Sequence, residues 1–446
     1  MTRVDLLITG GNIVSPDGIQ ELNVGITDGK IFSLTRYGED IEHKTEIKAE
    51  GKYLLPGCVD AHVHPRDPGF TYKEDFTTLT KAAAVGGVTT IMCQPTTNPS
   101  ISNSDMFNRV FQHWRGKALV DFAIQGMAEP DNIHDIGGLI EAGVVSLEFL
   151  GKESTGSMFK ELLIAVSSHG GIAGLSSEDI HQFLKKGAEF KAAGRNDILA
   201  WIEALDAGIE AYNVSRSLDL TKETSCAAHL HMISTRKSVE LIRNSKSMDR
   251  NVITAETSPK YLMLTQDDHV GMGPFSTVLP RFKTADDNEA LWEGILDNTI
   301  DMIATDHAPH ARHEKEKGFS DIWMSPTGVP EVELSLPLML TQVNKGRLSI
   351  NKLVDLMCET PARTYKIYPQ KGVIQVGADA DVVVTDMNSR RVVKDSMLIT
   401  APKYSAFDGF DLIGGPIVTI VRGNLVMKLG EIAMGEPIGN IVRPNH

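Results

Sequence analysis

Short apolar stretches separated by turn residues fill the first 55 residues of the chain. Two of them, at 24–27 and 30–34, flank an Asp-Gly pair that is typical of a β-hairpin. The same texture returns after about residue 368, where short strands are predicted at 382–385, 391–393, 417–422 and 425–428. We therefore predict that residues 1–55 and 368–446 pack together as one small β-sandwich domain.

Between these two ends, apolar strands alternate with segments of helical periodicity. The predicted strands lie at 59–64, 89–93, 120–125, 143–150, 172–175, 227–233, 252–257 and 302–306. The predicted helices include 74–85, 158–168, 198–218 and 288–296. This alternation favours an α/β fold, a (β/α)8 TIM barrel, over an open sheet, and we assign residues 56–367 to it.

Charge and cysteine content indicate which partners the protein can have and in which compartment it works. The 446 residues include 44 basic and 58 acidic side chains, and a formal net charge of −14 argues against nucleic acid or an anionic membrane. The four cysteines show no zinc-finger or CxxC spacing and are predicted to be reduced. No apolar run approaches ~18 residues, and the first residues lack a signal-peptide core. The sequence therefore predicts a cytoplasmic protein.

Two histidines, His62 and His64, are the most informative candidates for chemistry. They lie where an apolar strand runs into a Pro/Gly turn, and alternate residues of a strand project to the same face. Two imidazoles placed in this way can hold one metal ion, and a catalytic zinc keeps a coordination position open for water. Ordinary surface or core histidines show the same spacing. The metal-site interpretation of the pair therefore depends on polar residues at the other strand ends.

Further polar side chains stand at the predicted ends of barrel strands, where barrel active sites form. Glu148 interrupts an otherwise apolar fourth strand, where an acid either faces the barrel mouth or is a costly buried charge. His229 and His231 end the sixth strand, and Asp306 follows the eighth. With the first-strand pair, these donors suit zinc, manganese or iron. Each sixth-strand histidine, taken alone, fits a core position equally well.

Eight stretches spread over nearly the whole chain carry a family resemblance. They are PGCVDAHVHPRDPG, TKAAAVGGVTTI, STRKSVELI, AETSPKYLMLT, DNEALWEGI, DMIATDHAPH, CETPARTYKI and KGVIQVGADADVVVTD. In these stretches the chain resembles the cyclic amidohydrolases: dihydroorotase, hydantoinase (dihydropyrimidinase) and allantoinase. The resemblance implies a metal-dependent barrel, a β-sandwich domain built from both chain ends, and assembly as a homodimer or homotetramer.

The resemblance also implies roles for single residues. His62, His64 and Asp306 match metal ligands of the family, and Asp306 also matches the residue that moves the proton. Arg66 and His310 match residues that hold the substrate carboxylate in dihydroorotases.

Thr96 and Arg66 are two predicted contacts with the substrate. Thr96 stands where dihydroorotases have a substrate-binding asparagine, and we predict that it contacts the substrate. Arg66 is the best candidate for holding a substrate anion, because a guanidinium pairs with a carboxylate through two hydrogen bonds. A structural ion pair of Arg66 with Asp67 or with another acid is the alternative.

Departures from the family fall on one of its two metals. Glu148 stands in place of the carboxylated lysine that bridges the metals, and it is too short to bridge easily. Ser176 and Met232 stand in place of two histidines, with His231 one residue early unless a β-bulge restores it to the mouth. We therefore predict one divalent metal, most simply zinc, held by the family-matched ligands with Glu148 and His231. A displaced carboxylated lysine at Lys152 is the alternative.

The predicted activity is metal-dependent hydrolysis of a small cyclic amide. The HPRDPG turn favours dihydroorotase or allantoinase, whereas SPKYL favours hydantoinase. An allantoinase and a cyclic-imide hydrolase remain open as other enzymes. The alternative from another class is an inactive homologue that serves as a scaffold or assembly partner, because relatives that lose metal ligands can take that role.

Overall fold

The computed structural model describes residues 3–39, 41–150, 157–204, 207–248 and 253–445. The strands are β1 Val4–Thr9, β2 Asn12–Ser15, β3 Gly18–Thr27, β4 Lys30–Arg36, β5 His43–Lys48, β6 Tyr53–Pro56, β7 Cys58–Val63, β8 Val88–Cys93, β9 Asp121–Ile124, β10 Gly126–Met127, β11 Leu147–Phe149, β12 Ile172–Ser176, β13 Ala227–His231, β14 Ile253–Thr257, β15 Met302–Ile303, β16 Val382–Val392, β17 Asp411–Val421, β18 Asn424–Lys428 and β19 Glu431–Ile432.

The helices lie mainly between the strands of the central region. They are α1 Phe76–Gly86, α2 Ser104–Trp114, α3 Ile136–Ala142, α4 Ser157–Ser168, α5 Ile180–Ala192, α6 Ile198–Glu203, α7 Ala207–Thr224, α8 Arg236–Met248, α9 Pro259–Met263, α10 Gln266–Met272, α11 Ala285–Leu296, α12 Arg312–Glu316, α13 Ser335–Asn344, α14 Ile350–Val354 and α15 Thr360–Thr364. None of these described helices combines the length and the apolar character that a membrane span requires.

The central strands form the predicted parallel barrel. Parallel pairing runs through β7, β8 and β9 and again from β10 to β15. A parallel bridge between Val63 and His307 joins the first strand to the segment after the last. Since only Gln125 separates β9 from β10, the two make one barrel position, and the barrel has eight positions. Strand β12 is the fifth position and lies across the barrel from β7.

Both ends of the chain meet in a separate curled sheet. Its strand order is β19-β18-β17-β16-β6-β2-β3-β1-β5, with β4 paired to β3. The join is antiparallel pairing of β6 with β16, in which Leu54 stands opposite Val384. Apolar side chains such as Leu6, Ile8 and Val24 form a core distinct from that of the barrel. The predicted composite β domain is therefore confirmed, while its boundaries at 55/56 and 367/368 stay predictions.

Several elements differ in length from the prediction. The predicted fourth strand at 143–150 is only Leu147–Phe149, and Gly143, with φ +102°, instead ends the preceding helix. The predicted helix at 198–218 is two helices, α6 and α7. The stretches predicted at 382–385 and 391–393 are parts of one bulged strand, β16, which ends at Val392. Strand β15 stops at Ile303, so that the residues after it leave the sheet at the barrel mouth.

Candidate metal centre and substrate cavity

Three predicted metal ligands bring their donor atoms together at the barrel mouth. The Nε2 atoms of His62 and His64 are 3.3 Å apart. Asp306 Oδ1 lies 3.1 Å from Nε2 of His64 and 3.7 Å from Nε2 of His62. Two tetrahedral ligands at ~2.0 Å from a zinc ion are separated by about 3.3 Å. The three residues, which we call the metal cluster, therefore fit around one ion.

Hydrogen bonds between the first and last barrel strands hold this cluster in place. The buried Asp60 accepts from Thr305, through the backbone N–H at 3.0 Å and the hydroxyl at 2.6 Å. The backbone N–H of His62 also points to Asp60, at 3.3 Å. Asp306 then adopts φ +50°, a left-handed turn that a non-glycine residue rarely takes. The turn directs the Asp306 carboxylate back over the two histidines.

The metal cluster carries the protonation states that a metal needs. Burial lowers the pKa of His64 to about 4, so its imidazole is neutral at neutral pH. Burial raises the pKa of Asp306, but the cations around it, led by Lys260, outweigh burial and lower it to about 2. At neutral pH the cluster therefore offers a neutral imidazole and an ionised carboxylate.

The outer nitrogens of both histidines have partners that fix the rings. His62 Nδ1 lies 2.6 Å from Oε1 of Glu256, and His64 Nδ1 lies 2.8 Å from Oγ1 of Thr96. Partners of this kind orient the opposite ring nitrogen toward a metal. Thr96, predicted as a substrate contact, therefore lies against His64 as well as lining the cavity.

A second group of buried charges lies beside the metal cluster. His231 Nε2 is 2.6 Å from Oε2 of Glu148, and His231 Nδ1 is 2.9 Å from Oε1 of Glu256. Burial lowers the pKa of His231, but the two carboxylates outweigh it and raise the pKa to about 10. Glu148 also accepts from the Ser146 hydroxyl at 2.5 Å. We call Glu148, His231 and Glu256 the carboxylate–histidine cluster.

The two clusters differ as metal sites. Among the described residues, donor atoms close enough to share an ion occur in His62, His64 and Asp306 and in His62, His231 and Glu256. In the second group His62 and His231 lie 2.6 and 2.9 Å from Glu256 and 3.2 Å from each other. The two carboxylate contacts are shorter than the 3.1 to 3.7 Å separations of the metal cluster, so their atoms are already held in tight hydrogen bonds. Glu148 belongs to neither group. Its assignment and that of His231 as metal ligands stay predictions.

The residues that stand where the family resemblance implies two histidines border the same cavity. Ser176 and Met232 both line it, as does His231. Met232 has φ +48°, and this turn lets two consecutive residues face the cavity. His229 does not line it, because its ring packs below, with Nδ1 2.7 Å from Thr254 Oγ1. Lys152, the alternative lysine, lies outside the described residues.

The cavity above the metal cluster has a volume of about 290 Å³. Its walls are His62, His64, Arg66, Thr96, Leu150, Ser176, Ser177, Glu178, Ile180, His231, Met232, Leu279, Pro280, Asp306, Ala308, His310, Thr327 and Gly328. The volume is just below the ~300–1,000 Å³ of drug-sized ligand sites, which suits a single small ring.

The predicted anion-binding residues lie together on one side of this cavity. Arg66 Nη2 is 3.3 Å from His310 Nε2, and Lys73 Nζ is 3.0 Å from His310 Nδ1. Burial, with these two cations, lowers the pKa of His310 to about 2 and keeps its ring neutral. The alternative partner Asp67 instead pairs with the ring of His113. The Arg66 guanidinium is therefore held at the cavity wall by His310 and by the Pro309 carbonyl, to which its Nε donates at 3.0 Å, rather than by Asp67.

Sequence reasoning missed Glu256 and Lys260. Glu256 lies in the apolar run Ile-Thr-Ala-Glu-Thr, the same signal that singled out Glu148, and could have been found in the same way. The fully buried Lys260 ammonium donates to the Thr305 carbonyl and lies 3.8 Å from Oδ2 of Asp306. No local pattern marks that lysine, because its partners are distant in sequence.

Comparison with known proteins gives consistent matches over almost the full length. The model of the Amidohydrolase family matches residues 53–426. The chain is 35% identical to an L-hydantoinase of Paenarthrobacter aurescens over 98% of each chain. It is 36% identical to a dihydroorotase of Acetivibrio thermocellus over 95% of this chain and 99% of that one. The solved L-hydantoinase (dihydropyrimidinase) from Arthrobacter aurescens superposes with a TM-score of 0.94 at 34% identity, covering 99% of this chain and 100% of that one. The resemblance and the fold class predicted from the sequence are thus confirmed.

Proposed function

The chain belongs to the amidohydrolase family, and from that premise we propose that it hydrolyses a small cyclic amide with one divalent metal ion per chain. The similarity to a hydantoinase and to dihydroorotases supports the reaction class. The observation that carries the proposal is the convergence of His62, His64 and Asp306, with donor atoms 3.1 to 3.7 Å apart, on the floor of a ring-sized cavity.

His62, His64 and Asp306 would hold the metal. Two imidazole nitrogens and one carboxylate oxygen are a donor set that zinc accepts readily, and zinc is our proposed metal. When bound, such an ion supplies Lewis-acid polarisation of a carbonyl and lowers the pKa of a coordinated water.

Asp306 is the proposed proton carrier. Its carboxylate is ionised at neutral pH and lies at the cavity floor, so it accepts the proton that the attacking water loses. The ring opens when the amide C–N bond breaks, and Asp306 then gives that proton to the leaving nitrogen. Lys260, 3.8 Å behind the carboxylate, favours its ionised form between turnovers.

Arg66, His310 and Thr96 are the proposed substrate contacts. Arg66 offers guanidinium donors at the cavity wall, which suit a carboxylate or carbonyl oxygen of the ring. The neutral His310 ring and the Thr96 hydroxyl add neutral polar contacts nearby. This wall favours substrates with an anionic or carbonyl-rich edge.

The one-metal proposal rests on how the carboxylate–histidine cluster uses its atoms. Glu148 and Glu256 already share the His231 imidazolium, which offsets part of their negative charge without a second ion. Ser176 and Met232 replace ligands that a second metal would need. Glu148 as a fourth ligand, the prediction from sequence, requires it to leave His231.

Metal analysis of protein purified without chelator tests this proposal. We expect about one ion per chain in the wild type, almost none in His64→Ala, and about one in the matched variant Glu148→Ala. Two ions per chain would overturn the one-metal proposal. Loss of the ion in Glu148→Ala would instead establish Glu148 as a ligand.

A turnover panel tests the substrate class. We expect ring opening of hydantoins, dihydrouracil or dihydroorotate, followed by loss of substrate absorbance and appearance of the carbamoyl product. Turnover of allantoin alone would replace the proposal by an allantoinase. A protein with no bound metal and no hydrolysis of any ring would overturn it in favour of the scaffold.

A further inference from the structure

A second cavity lies where the barrel meets the β domain. Its volume is about 340 Å³, within the ~300–1,000 Å³ of small-molecule sites. Its walls come from the end of α1, the residues just before α13, the end of β16 with the segment after it, and the turn between β18 and β19. The two cavities have no described lining residue in common. A ligand bound in the second cavity therefore leaves the metal cluster free.

Arg391 is a half-buried cation in the wall of the second cavity. In the described part of the chain it forms neither an ion pair nor a hydrogen bond. Its Nη2 atom is fully enclosed without a partner, whereas Nε and Nη1 are not enclosed and are accessible from the cavity. Burial lowers the pKa of the guanidinium, because water solvates the charge less well. A poorly solvated guanidinium without a partner suits a ligand carboxylate, which it binds through a charge-assisted hydrogen bond.

Glu333 adds a hydrogen-bond acceptor to the same cavity. Its Oε2 atom accepts the backbone N–H groups of Ile399, at 2.7 Å, and of Thr400, at 3.4 Å. Its Oε1 atom accepts no hydrogen bond from the described residues and is not enclosed, so it is available to a donor in the cavity. Burial raises the pKa of Glu333 to about 7, so the carboxylate is mainly ionised at pH 8. A ligand that satisfies both groups carries a carboxylate for Arg391 and N–H donors for Glu333.

Apolar side chains make up most of the remaining walls. Val85, Leu334 and Leu398 are buried there. At the rim, Leu429 is 72% exposed and has φ +53°, a left-handed conformation that leucine seldom adopts. With Gly430 it forms the two-residue turn between β18 and β19, where asparagine, aspartate or glycine is the preferred first residue. Backbone strain of this kind is retained mainly at functional positions, and an exposed leucine at the rim suits the apolar body of a ligand.

We propose that the second cavity is a ligand site for a ureido monocarboxylate, with the carboxylate on Arg391, the ureido N–H groups on Glu333 and the carbon chain against the apolar walls. Ring opening of a hydantoin or a dihydropyrimidine yields this class of compound. Water turns the ring carbonyl into a carboxylate, the C–N bond breaks, and the cleaved nitrogen takes a proton and stays in the ureido group. The choice of ligand therefore rests on the proposed function. A second carboxylate is disfavoured, because Glu333 and Glu431 also line the cavity and would repel it.

Three probes separate the contributions of the two charged groups. N-carbamoyl-leucine carries the carboxylate and the ureido group, its carboxamide lacks the carboxylate, and 4-methylpentanoate has hydrogen in place of the ureido group. Binding of each is measured by isothermal titration calorimetry at pH 8 with the full chain. All proteins carry Arg66→Met, because Arg66 is the proposed carboxylate contact of the active site and would add a second binding event.

The affinity for N-carbamoyl-leucine should depend on Arg391. We expect Arg391→Met to weaken it about 10- to 100-fold, and the carboxamide to bind the unsubstituted site more weakly by a similar factor. The matched control is Arg390→Met, which removes the same charge from the neighbouring position of β16, where the side chain is exposed and does not line the cavity. That control should leave the affinity within about twofold.

The selectivity for the ureido group should depend on Glu333. Glu333→Gln should lower the preference for N-carbamoyl-leucine over 4-methylpentanoate about 3- to 10-fold, because a neutral amide oxygen is a weaker acceptor than a carboxylate. Relief of charge repulsion affects both acids alike and cancels in this ratio. An unchanged ratio would overturn the assignment of the ureido group to Glu333.

The titrations need no turnover, so they separate this inference from the proposed function. No saturable binding of N-carbamoyl-leucine, or equal affinity in Arg391→Met and Arg390→Met, would overturn the second site. If Arg391→Met does not fold, Arg391→Gln replaces it with the same expected loss. A protein that opens cyclic amides but binds N-carbamoyl-leucine without Arg391 keeps the proposed function and loses the second site. One that opens no ring but shows binding that depends on Arg391 keeps the second site and loses the proposed function.

Discussion

The metal cluster and the carboxylate–histidine cluster lie side by side in one barrel, and His62 contacts both of them. Both contain histidines and carboxylates, but these side chains are arranged differently in each. In the metal cluster, Asp306 Oδ1 lies 3.1 Å from Nε2 of His64 and 3.7 Å from Nε2 of His62, so the donor atoms converge. In the other, Glu148 and Glu256 hold His231 between them at 2.6 and 2.9 Å. The metal cluster therefore keeps donor atoms available to a ligand, whereas the carboxylate–histidine cluster uses its donor atoms in contacts with one another.

The number of carboxylates that face each histidine accounts for this difference. His64 faces one carboxylate, Asp306, at 3.1 Å, and burial keeps its imidazole neutral by lowering its pKa. His231 faces two, Glu148 and Glu256, and together they raise its pKa enough to keep it protonated. Residue types alone therefore do not make a metal site. The number of opposing charges within hydrogen-bond distance decides whether a histidine keeps a lone pair for a metal or carries a proton.

The largest expected effect comes from the metal cluster. Asp306→Asn should lower kcat by about 10²- to 10⁴-fold, because the amide cannot carry the proton, while its oxygen still serves the metal. Steady-state kinetics and metal analysis on the same sample check this. The control is Asp301→Asn, since Asp301 pairs with Lys246 away from the cavity and should leave kcat within about threefold. Near wild-type turnover in Asp306→Asn would refute the role.

In the carboxylate–histidine cluster the expected effect is on stability. Glu148→Gln should lower the free energy of unfolding by about 3–5 kcal/mol, because it leaves the His231 imidazolium with one carboxylate fewer. Urea titration of metal-free protein measures it. The double variant Glu148→Leu with His231→Leu should recover much of the loss, since it removes both charges. A Glu148→Gln protein as stable as wild type would show that the pair is not formed.

The two clusters should also respond to pH with opposite signs in metal-free protein. The pKa of His64 is lowered to about 4, so its contribution is lost as pH falls from 6.5 toward 4. The pKa of His231 is raised to about 10, so its contribution is full below pH 6.5 and lost as pH rises toward 10. By these shifts the His64 arm is about 3 kcal/mol and the His231 arm about 5 kcal/mol.

Two single variants separate the arms of that pH profile. The unfolding free energy of each variant and of the wild type is measured at each pH. His64→Gln should reduce its pH dependence on the acid side only, and His231→Gln should reduce it on the alkaline side only. If either variant flattens both sides, the two clusters titrate as one unit and the comparison between them fails.

The smallest expected effect concerns the space that Glu148 occupies. A Cβ at residue 174 would overlap the Glu148 carboxylate, which lies across the neighbouring strand. Gly174→Ala should therefore destabilise the protein by about 1–3 kcal/mol. The same change in a Glu148→Ala background should destabilise the protein much less. Thermal unfolding of the wild type, the two single variants and the double variant completes this double-mutant cycle. Additive losses would mean that Glu148 does not lie over Gly174.

Much of the site was predictable because strand ends have a regular geometry. The His62 and His64 pair follows from the two-residue period of a strand, and Asp306 follows from its place after the last barrel strand. The predicted composite β domain follows from the matching texture of the two chain ends. Glu256 was open to the same reasoning that found Glu148. The start of the fourth strand was not predictable in this way, because Gly143, read as its first residue, instead ends the helix before it and the strand begins at Leu147.

The sequence by itself determined the fold class, the barrel strands and the residues that stand at their mouths, because those depend on local periodicity and on residue type. Only the tertiary structure decided which of these residues face one another. His231 meets Glu256 across 25 positions of sequence and His62 meets Glu256 across 194, and both contacts exist only once the barrel has closed. Strand periodicity fixes the face of a side chain, but the distances between side chains of different strands are fixed by the packing of the whole barrel.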